Sequence, residues 1–264
     1  MKQRWLQLKF IWEYATHLQT DSNPPLDLIF KFIYGLDKKD IIKNFNKFSK
    51  TETSKKVFEA EVDVIDKIKT GTFKPGTFGH EFQTWLSKNN MVDLFTFGYE
   101  NRGGNIKRKK FFKYNTMEHD LIHFLNGYDT SALGEVGVLS FNLAKEWREG
   151  YATILYASFV MSIRNTFLPS KYPPGTPWYI AIKYSALIVF CRVVIEGWRR
   201  GKRAPWFMEV DWGNYLNVDL QQVKKELLLD NPPKYWTKVQ PIWRRVLLQY
   251  KRYAKKHGTT TNRT

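Results

Sequence analysis

His119-Asp120-Leu121-Ile122-His123 places two imidazoles at i and i+4, and Glu135 follows after eleven further residues. On an α-helix this spacing puts both rings on one face, about 40° apart around the axis. Asp120 lies about 100° from His119, on the flank of that face. Asn126-Gly127 reads as a helix stop, because a left-handed cap suits Asn or Gly. A second helix then begins near Ala132 and carries Glu135 in its first turns. Folded as a helical hairpin, the pair brings two imidazoles and one or two carboxylates to one point, which is a divalent-metal site. The spacing alone also admits His123 as a hydrogen-bonded core histidine and His119-Asp120 as an exposed helix start. Glu118 is either a proton carrier or an orienting neighbour of the site, or a solvated acid near a helix start.

The mixed nitrogen and oxygen donors suit Zn²⁺ first, with Fe²⁺ or Mn²⁺ as alternatives, since two histidines and a carboxylate form the facial set of oxygen-using iron proteins. If Asp120 and Glu135 both bind, a tetrahedral site is filled, and catalysis needs a fifth position or a ligand that lets go.

The elements that must position these residues are mainly α-helical. Apolar spacing predicts an amphipathic helix over 3–18, a break at Asn23-Pro24-Pro25 and a short apolar helix over 26–34. A lysine-rich stretch from Lys38 to Lys56 is a loop or a weak helix. Val57 to Ile68 has one continuous helical pattern, and His80 to Lys88 another beyond the Thr70 to Gly76 connector. Residues 93–99 offer the one strand-like run, and Asn101 to Lys110 reads as a polar basic loop, solvated or gripping an anionic head group. After Glu135 the helix is expected to continue through Trp147, followed by helices over 150–168 and 178–200. Arg164 interrupts the first of these, and Lys183 and Arg192 the second. Each apolar run therefore falls short of the ~18 residues of a membrane span. Asp219 is the expected N-cap of a helix over 218–229. Beyond Pro241 the tail has an apolar stripe with Trp236, Val239 and Trp243, and a basic face with Arg244, Arg245 and Lys251. Such a helix docks on its own domain or lies on an anionic membrane, with docking the preferred reading. The expected organisation is one multi-helix domain over 1–230 carrying the metal hairpin, and a basic extension over 231–264 with a disordered tail.

Forty-two Lys and Arg against 25 Asp and Glu give a net charge of +17. That favours anionic partners: acidic lipid, an acidic substrate or nucleic acid. No zinc finger, aromatic RNA-binding motif or helix-turn-helix spacing accompanies the charge, so a nucleic-acid partner is not expected. A single cysteine, Cys191, excludes an internal disulfide. Residues 1–20 show neither a secretory core nor an acid-free transit pattern, since Glu13 interrupts the basic start.

His-Asp-x-x-His-x11-Glu, as it stands at His119, Asp120, His123 and Glu135, resembles the motif of the ubiquinone (coenzyme Q) biosynthesis protein Coq-four family. The resemblance extends to Pro75-Gly76-Thr77-Phe78-Gly79 with Phe82 and Leu86, and to Leu133-Gly134-Glu135-Val136. Glu196-Gly197 through Gly201, then Val210-Asp211-Trp212 and Leu220 to Leu227, is similar to the family's C-terminal stretch. It covers roughly residues 60–230. Tyr114-Asn115-Thr116-Met117 lacks an arginine that the family carries before the motif, and Gly213 stands where the family has an acid.

The resemblance implies an α-helical, often dimeric, peripheral membrane protein, cytoplasmic and on the inner membrane face. It implies that His119, Asp120, His123 and Glu135 hold the metal and act catalytically through it. The implied substrate is a polyprenylated hydroxybenzoate-type precursor, decarboxylated oxidatively at ring carbon one by a lyase-type enzyme. Organisation of other quinone-pathway enzymes is implied as well. A non-catalytic prenyl-lipid-binding scaffold is the alternative, and a basic nucleic-acid binder the weaker one.

Overall fold

Thr51, Asp63, Asn105, Ser131, Ser185 and Asp219 each accept a hydrogen bond from a backbone N–H in the turn that follows, and each opens a helix. These side chains satisfy donors that a helix start otherwise leaves unpaired. The computed structural model describes residues 36–89, 91, 105–167, 185–242 and 244–245. The chain runs through α1 (Lys38–Phe48), α2 (Glu52–Glu59), α3 (Val64–Thr70), α4 (Phe78–Lys88), α5 (Ile106–Asn126), α6 (Ala132–Leu143), α7 (Glu149–Phe167), α8 (Ala186–Arg203) and α9 (Leu220–Glu226). Two short 3₁₀ turns, Phe207–Glu209 and Trp212–Tyr215, separate α8 from α9. Among the described residues there is no strand; one antiparallel bridge joins Thr77 to Asp219. The mainly α class expected from the sequence is what the chain adopts. The expected helices over 3–18 and 26–34 and the strand-like run at 93–99 lie outside the described residues. Among those described, no helix is long and apolar enough to cross a membrane.

The core forms around α5. Phe111, Tyr114, Met117, Leu121, Ile122 and Leu125 are all buried in it, against Phe48, Phe78, Phe82, Phe207 and Trp212 from elsewhere in the chain. Stacked and edge-on rings link Phe78 to Phe82, Phe124 and Trp212. α8 lies along α6 at unusually short range. A Cβ added at Gly197 would stand 2.5 Å from the Gly137 carbonyl, and one at Gly201 would stand 2.3 Å from that of Phe141. Only glycine at these two positions lets the backbones approach so closely.

Several boundaries differ from the sequence reading, each for a tertiary reason. The single helix expected over 57–68 is broken into α2 and α3. Lys110 reaches from α5 to donate to the carbonyls of Phe58 and Ala60, at 2.9 and 2.6 Å, and so satisfies the end of α2. Asp63 then caps α3 by accepting from the Asp66 N–H. The basic run 106–110 is not loop but the first turn and more of α5. The helix through Glu135 ends at Leu143 rather than continuing, so Trp147 is exposed while Arg148 turns inward. α9 stops at Glu226, and Leu228 takes a left-handed φ of 58°. The start of the C-terminal stripe docks on its own domain, with Trp236 and Val239 buried in the core, while residues 246–264 lie outside the described residues.

Candidate metal centre

The hairpin forms as its residues direct. α5 ends at Gly127, which takes a left-handed conformation (φ 71°, ψ 21°). Asp129 accepts from both the N–H and the hydroxyl of Ser131, and Ser131 in turn caps α6. The short connector turns α6 back so that Glu135, in its first turn, faces the histidines of α5.

His119, His123 and Glu135 then offer ligand atoms that all lie within 4.8 Å of one another. His119 Nε2 is 3.2 Å from Glu135 Oε2, and His123 Nε2 is 3.1 Å from Glu135 Oε1. The two rings meet edge-on with centroids 4.9 Å apart. His123 is fully buried and stacks on Trp85, whereas the His119 and Glu135 side chains keep 25% and 35% of their surface exposed. The trio is therefore open on one side.

One hydrogen bond sets the chemistry of His123. Its Nδ1 is 3.2 Å from the Tyr128 carbonyl oxygen. A carbonyl can only accept, so Nδ1 carries the proton and Nε2 presents a lone pair. That lone pair is buried and faces a carboxylate oxygen 3.1 Å away. A lone pair and a carboxylate held face to face leave a place for a cation between them, which a proton or a metal ion can fill. The donor set thus fits a divalent ion held by His119, His123 and Glu135.

The charges at the site reinforce one another. Burial disfavours a charged His119, yet the Glu135 and Asp120 carboxylates prevail and push its pKa up to about 10. Burial likewise works to raise Glu135, but the charged His119 imidazole paired with it holds its carboxyl below the usual range. Asp120, the fourth residue of the sequence motif, stands outside the trio. Its Oδ1 is 3.3 Å from His119 Nδ1, on the far side of that ring, and its Oδ2 is buried without a partner. There it orients the imidazole, as carboxylates behind metal-bound histidines do.

Beside the trio lies a buried polar network that the sequence reading missed. Arg148 Nε donates to Asp37 at 2.9 Å, and its Nη1 donates to Asn115 Oδ1 at 3.1 Å and to the Tyr151 hydroxyl at 2.7 Å. Asn115 donates to Glu118 at 3.0 Å. Burial, with the nearby Glu146 charge, pushes Glu118 up to about 8. Glu118 is thus a buried acid tied into this network rather than a solvated helix-start residue. Asn115 sits four residues before His119, a spacing that could have flagged it; Asp37 and Arg148 carry no local signal.

No family model matches the sequence, and no curated protein matches it. Three chains of solved structures do. One is the crystal structure of a "putative ubiquinone biosynthesis protein" from Nostoc punctiforme, with a TM-score of 0.56. The chain shares that protein's fold. The likeness covers 87% of this chain and 98% of the other, at 16% identity.

Proposed function

We propose that this chain is a metal-dependent protein of ubiquinone-type biosynthesis. It acts on a polyprenylated hydroxybenzoate-type precursor by oxidative decarboxylation at ring carbon one: the ring–carboxylate bond breaks, CO₂ leaves, a hydroxyl takes its place, and dioxygen from solution accepts the two electrons. The observation that carries the reading is the trio His119, His123 and Glu135, half-open to solvent, on a fold shared with the Nostoc protein. His119 and His123 would hold the ion through Nε2 and Glu135 through its carboxylate, with Asp120 behind His119. A bound divalent ion supplies Lewis-acid charge for an aryl carboxylate. Zn²⁺ suits the donors best, ahead of Fe²⁺ and Mn²⁺.

The chain's own residues prepare the site for that work. Trp85 and the buried aromatics beneath α5 exclude water from the His123 side. The Tyr128 carbonyl keeps a lone pair on His123 Nε2. A peripheral membrane position is supported by exposed Trp147, by Tyr156 and Val160 on α7, and by Ile195 and Trp198 on α8. Exposed Arg199, Lys202 and Arg203 at the end of α8 suit anionic lipid.

The test is elemental analysis of the wild type beside the His119→Ala/His123→Ala variant, with extracted lipid examined by mass spectrometry and a polyprenyl-hydroxybenzoate offered as substrate. Stoichiometric metal lost in the variant, a co-purified prenyl lipid and turnover by the wild type are expected. Metal and lipid without turnover would leave a prenyl-lipid-binding scaffold. A folded wild type that takes up none of Zn²⁺, Fe²⁺ and Mn²⁺ would sink the metal reading.

A further inference from the structure

The turn that carries the His123 acceptor is gripped from outside by the C-terminal segment. Residues 127, 128 and 129 are each tied to it. The Gly127 carbonyl accepts from Trp236 Nε1 at 2.9 Å. The Tyr128 ring meets the Trp236 ring edge-on, with centroids 5.6 Å apart. Asp129 Oδ2 accepts from Gln240 Nε2 and from Arg244 Nη2, each at 2.9 Å.

The gripping helix, residues 234–242, is itself anchored. The Glu196 carboxylate accepts from the backbone N–H groups of Tyr235 and Trp236, at 2.8 and 2.9 Å, and so holds the helix start to α8. Arg200, one turn further along α8, donates to Asn126 Oδ1 at 2.6 Å and to the Asn231 carbonyl at 2.5 Å. Asn126 is the last residue of α5. One face of α8 therefore ties the end of α5 and the start of the C-terminal helix into a single block.

We infer that this helix is a latch on the metal hairpin, with Trp236, Gln240 and Arg244 as positioning residues that hold the Tyr128 carbonyl against His123. The physical link is the tautomer. A neutral imidazole carries one ring proton, and the nitrogen that lacks it is the one able to bind metal. While the turn is held, that nitrogen is Nε2, the one facing Glu135. When the turn is loosened the constraint on Nδ1 weakens, and a fraction of molecules place the proton on Nε2, where it blocks the ligand position. The inference rests on the metal reading of the trio and adds the control of its His123 ligand.

Trp236→Phe keeps an aromatic ring against Tyr128, deletes the N–H bond to Gly127 and leaves a small cavity where the larger indole was buried. Gln240→Ala/Arg244→Ala removes the grip on Asp129 from the outer side of the helix. Two readouts serve: Co²⁺ uptake by competition with a chromophoric chelator, and the ring ¹⁵N shifts of His123 in metal-free protein. Co²⁺ affinity should fall about tenfold in Trp236→Phe, the lower end of what outer-shell changes cost, and about threefold in the double variant. His123 should move from one tautomer towards a mixture in both. Wild-type Co²⁺ affinity together with wild-type His123 shifts in both variants would overturn the latch, whatever their melting temperatures. If the wild type takes up no Co²⁺ and the His123 shifts still move, the metal reading falls while the latch on His123 stands. Should Trp236→Phe not fold, the double variant decides alone.

Discussion

Replacing Arg148 by Met keeps the length of the side chain and removes its charge from the most heavily loaded point of the interior. Arg148 is 2% exposed and donates to Asp37, Asn115 and Tyr151, with Glu146 4.0 Å away. Asp37, Glu118 and Glu146 are all buried, so the substitution strands acids rather than freeing a surface pair. Breaking a buried pair from one side costs about 3–5 kcal/mol, and that loss is expected at pH 8 in metal-free protein, by urea unfolding. The pH dependence has a definite sign. Burial raises all three acids, and Arg148 is the strongest of the influences that lower them. An acid whose folded pKa exceeds its unfolded value makes the folded state hold extra protons, so stability falls as pH rises between the two values. Without Arg148 the folded values rise further; the unfolded values cancel in the comparison, so the extra loss opens as pH rises through the wild-type folded values, about 8 for Glu118. The difference between variant and wild type should therefore be smaller at pH 5 than at pH 8. A difference below about 1 kcal/mol at pH 8, or one that grows on acidification, would refute the assignment of Arg148 as the compensating charge.

Gly197→Ala pushes a methyl to within 2.5 Å of the Gly137 carbonyl, so α8 must lift from α6. A loss of about 1–3 kcal/mol is expected, read as a lower thermal midpoint. His119, with its pKa raised to about 10, is an imidazolium paired with Glu135 in metal-free protein at neutral pH. That pairing contributes fully below about pH 6.5 and is lost as pH rises through about 10. Metal binding at pH 8 should therefore release about one proton from His119, and none well above pH 10. Titration calorimetry in two buffers of different ionisation enthalpy measures this; zero release at pH 8 would remove His119 from the ligand set.

The hairpin was legible because its determinants are short-range. Two histidines one turn apart, an Asn-Gly stop, and a helix starting near Ala132 under a Ser131 cap specify it within a few turns of chain. The start of the C-terminal stripe, docked at Trp236 and Val239, was legible as part of an amphipathic face, though the turn it grips was not. What escaped the sequence depends on distant partners. The break before Asp63 is stabilised by Lys110, some fifty residues away in the chain. Arg148 sits in a run, Lys145-Glu146-Trp147-Arg148-Glu149, that reads as solvated helix, yet the end of α6 rotates Arg148 inward and Trp147 out. Asp120 shows the limit of face arguments. Its position on the flank of the histidine face was readable, but not that its oxygen would meet His119 Nδ1 rather than join the trio.

The segment before residue 60, which the motif resemblance does not reach, completes the interior. Phe48 is fully buried beside Tyr114, Thr53 donates to the Glu209 carbonyl, and Lys56 pairs with Asp211. Asp37 closes a loop of 111 residues through Arg148 and also receives the Gly150 N–H. A boundary drawn where the recognisable motifs begin would cut through these buried contacts. An expression fragment starting at residue 60 would expose the floor of α5 and leave a guanidinium buried without its carboxylate. The packed interior therefore takes in the chain from at least Asp37 onward, well upstream of the residues that identify it by eye.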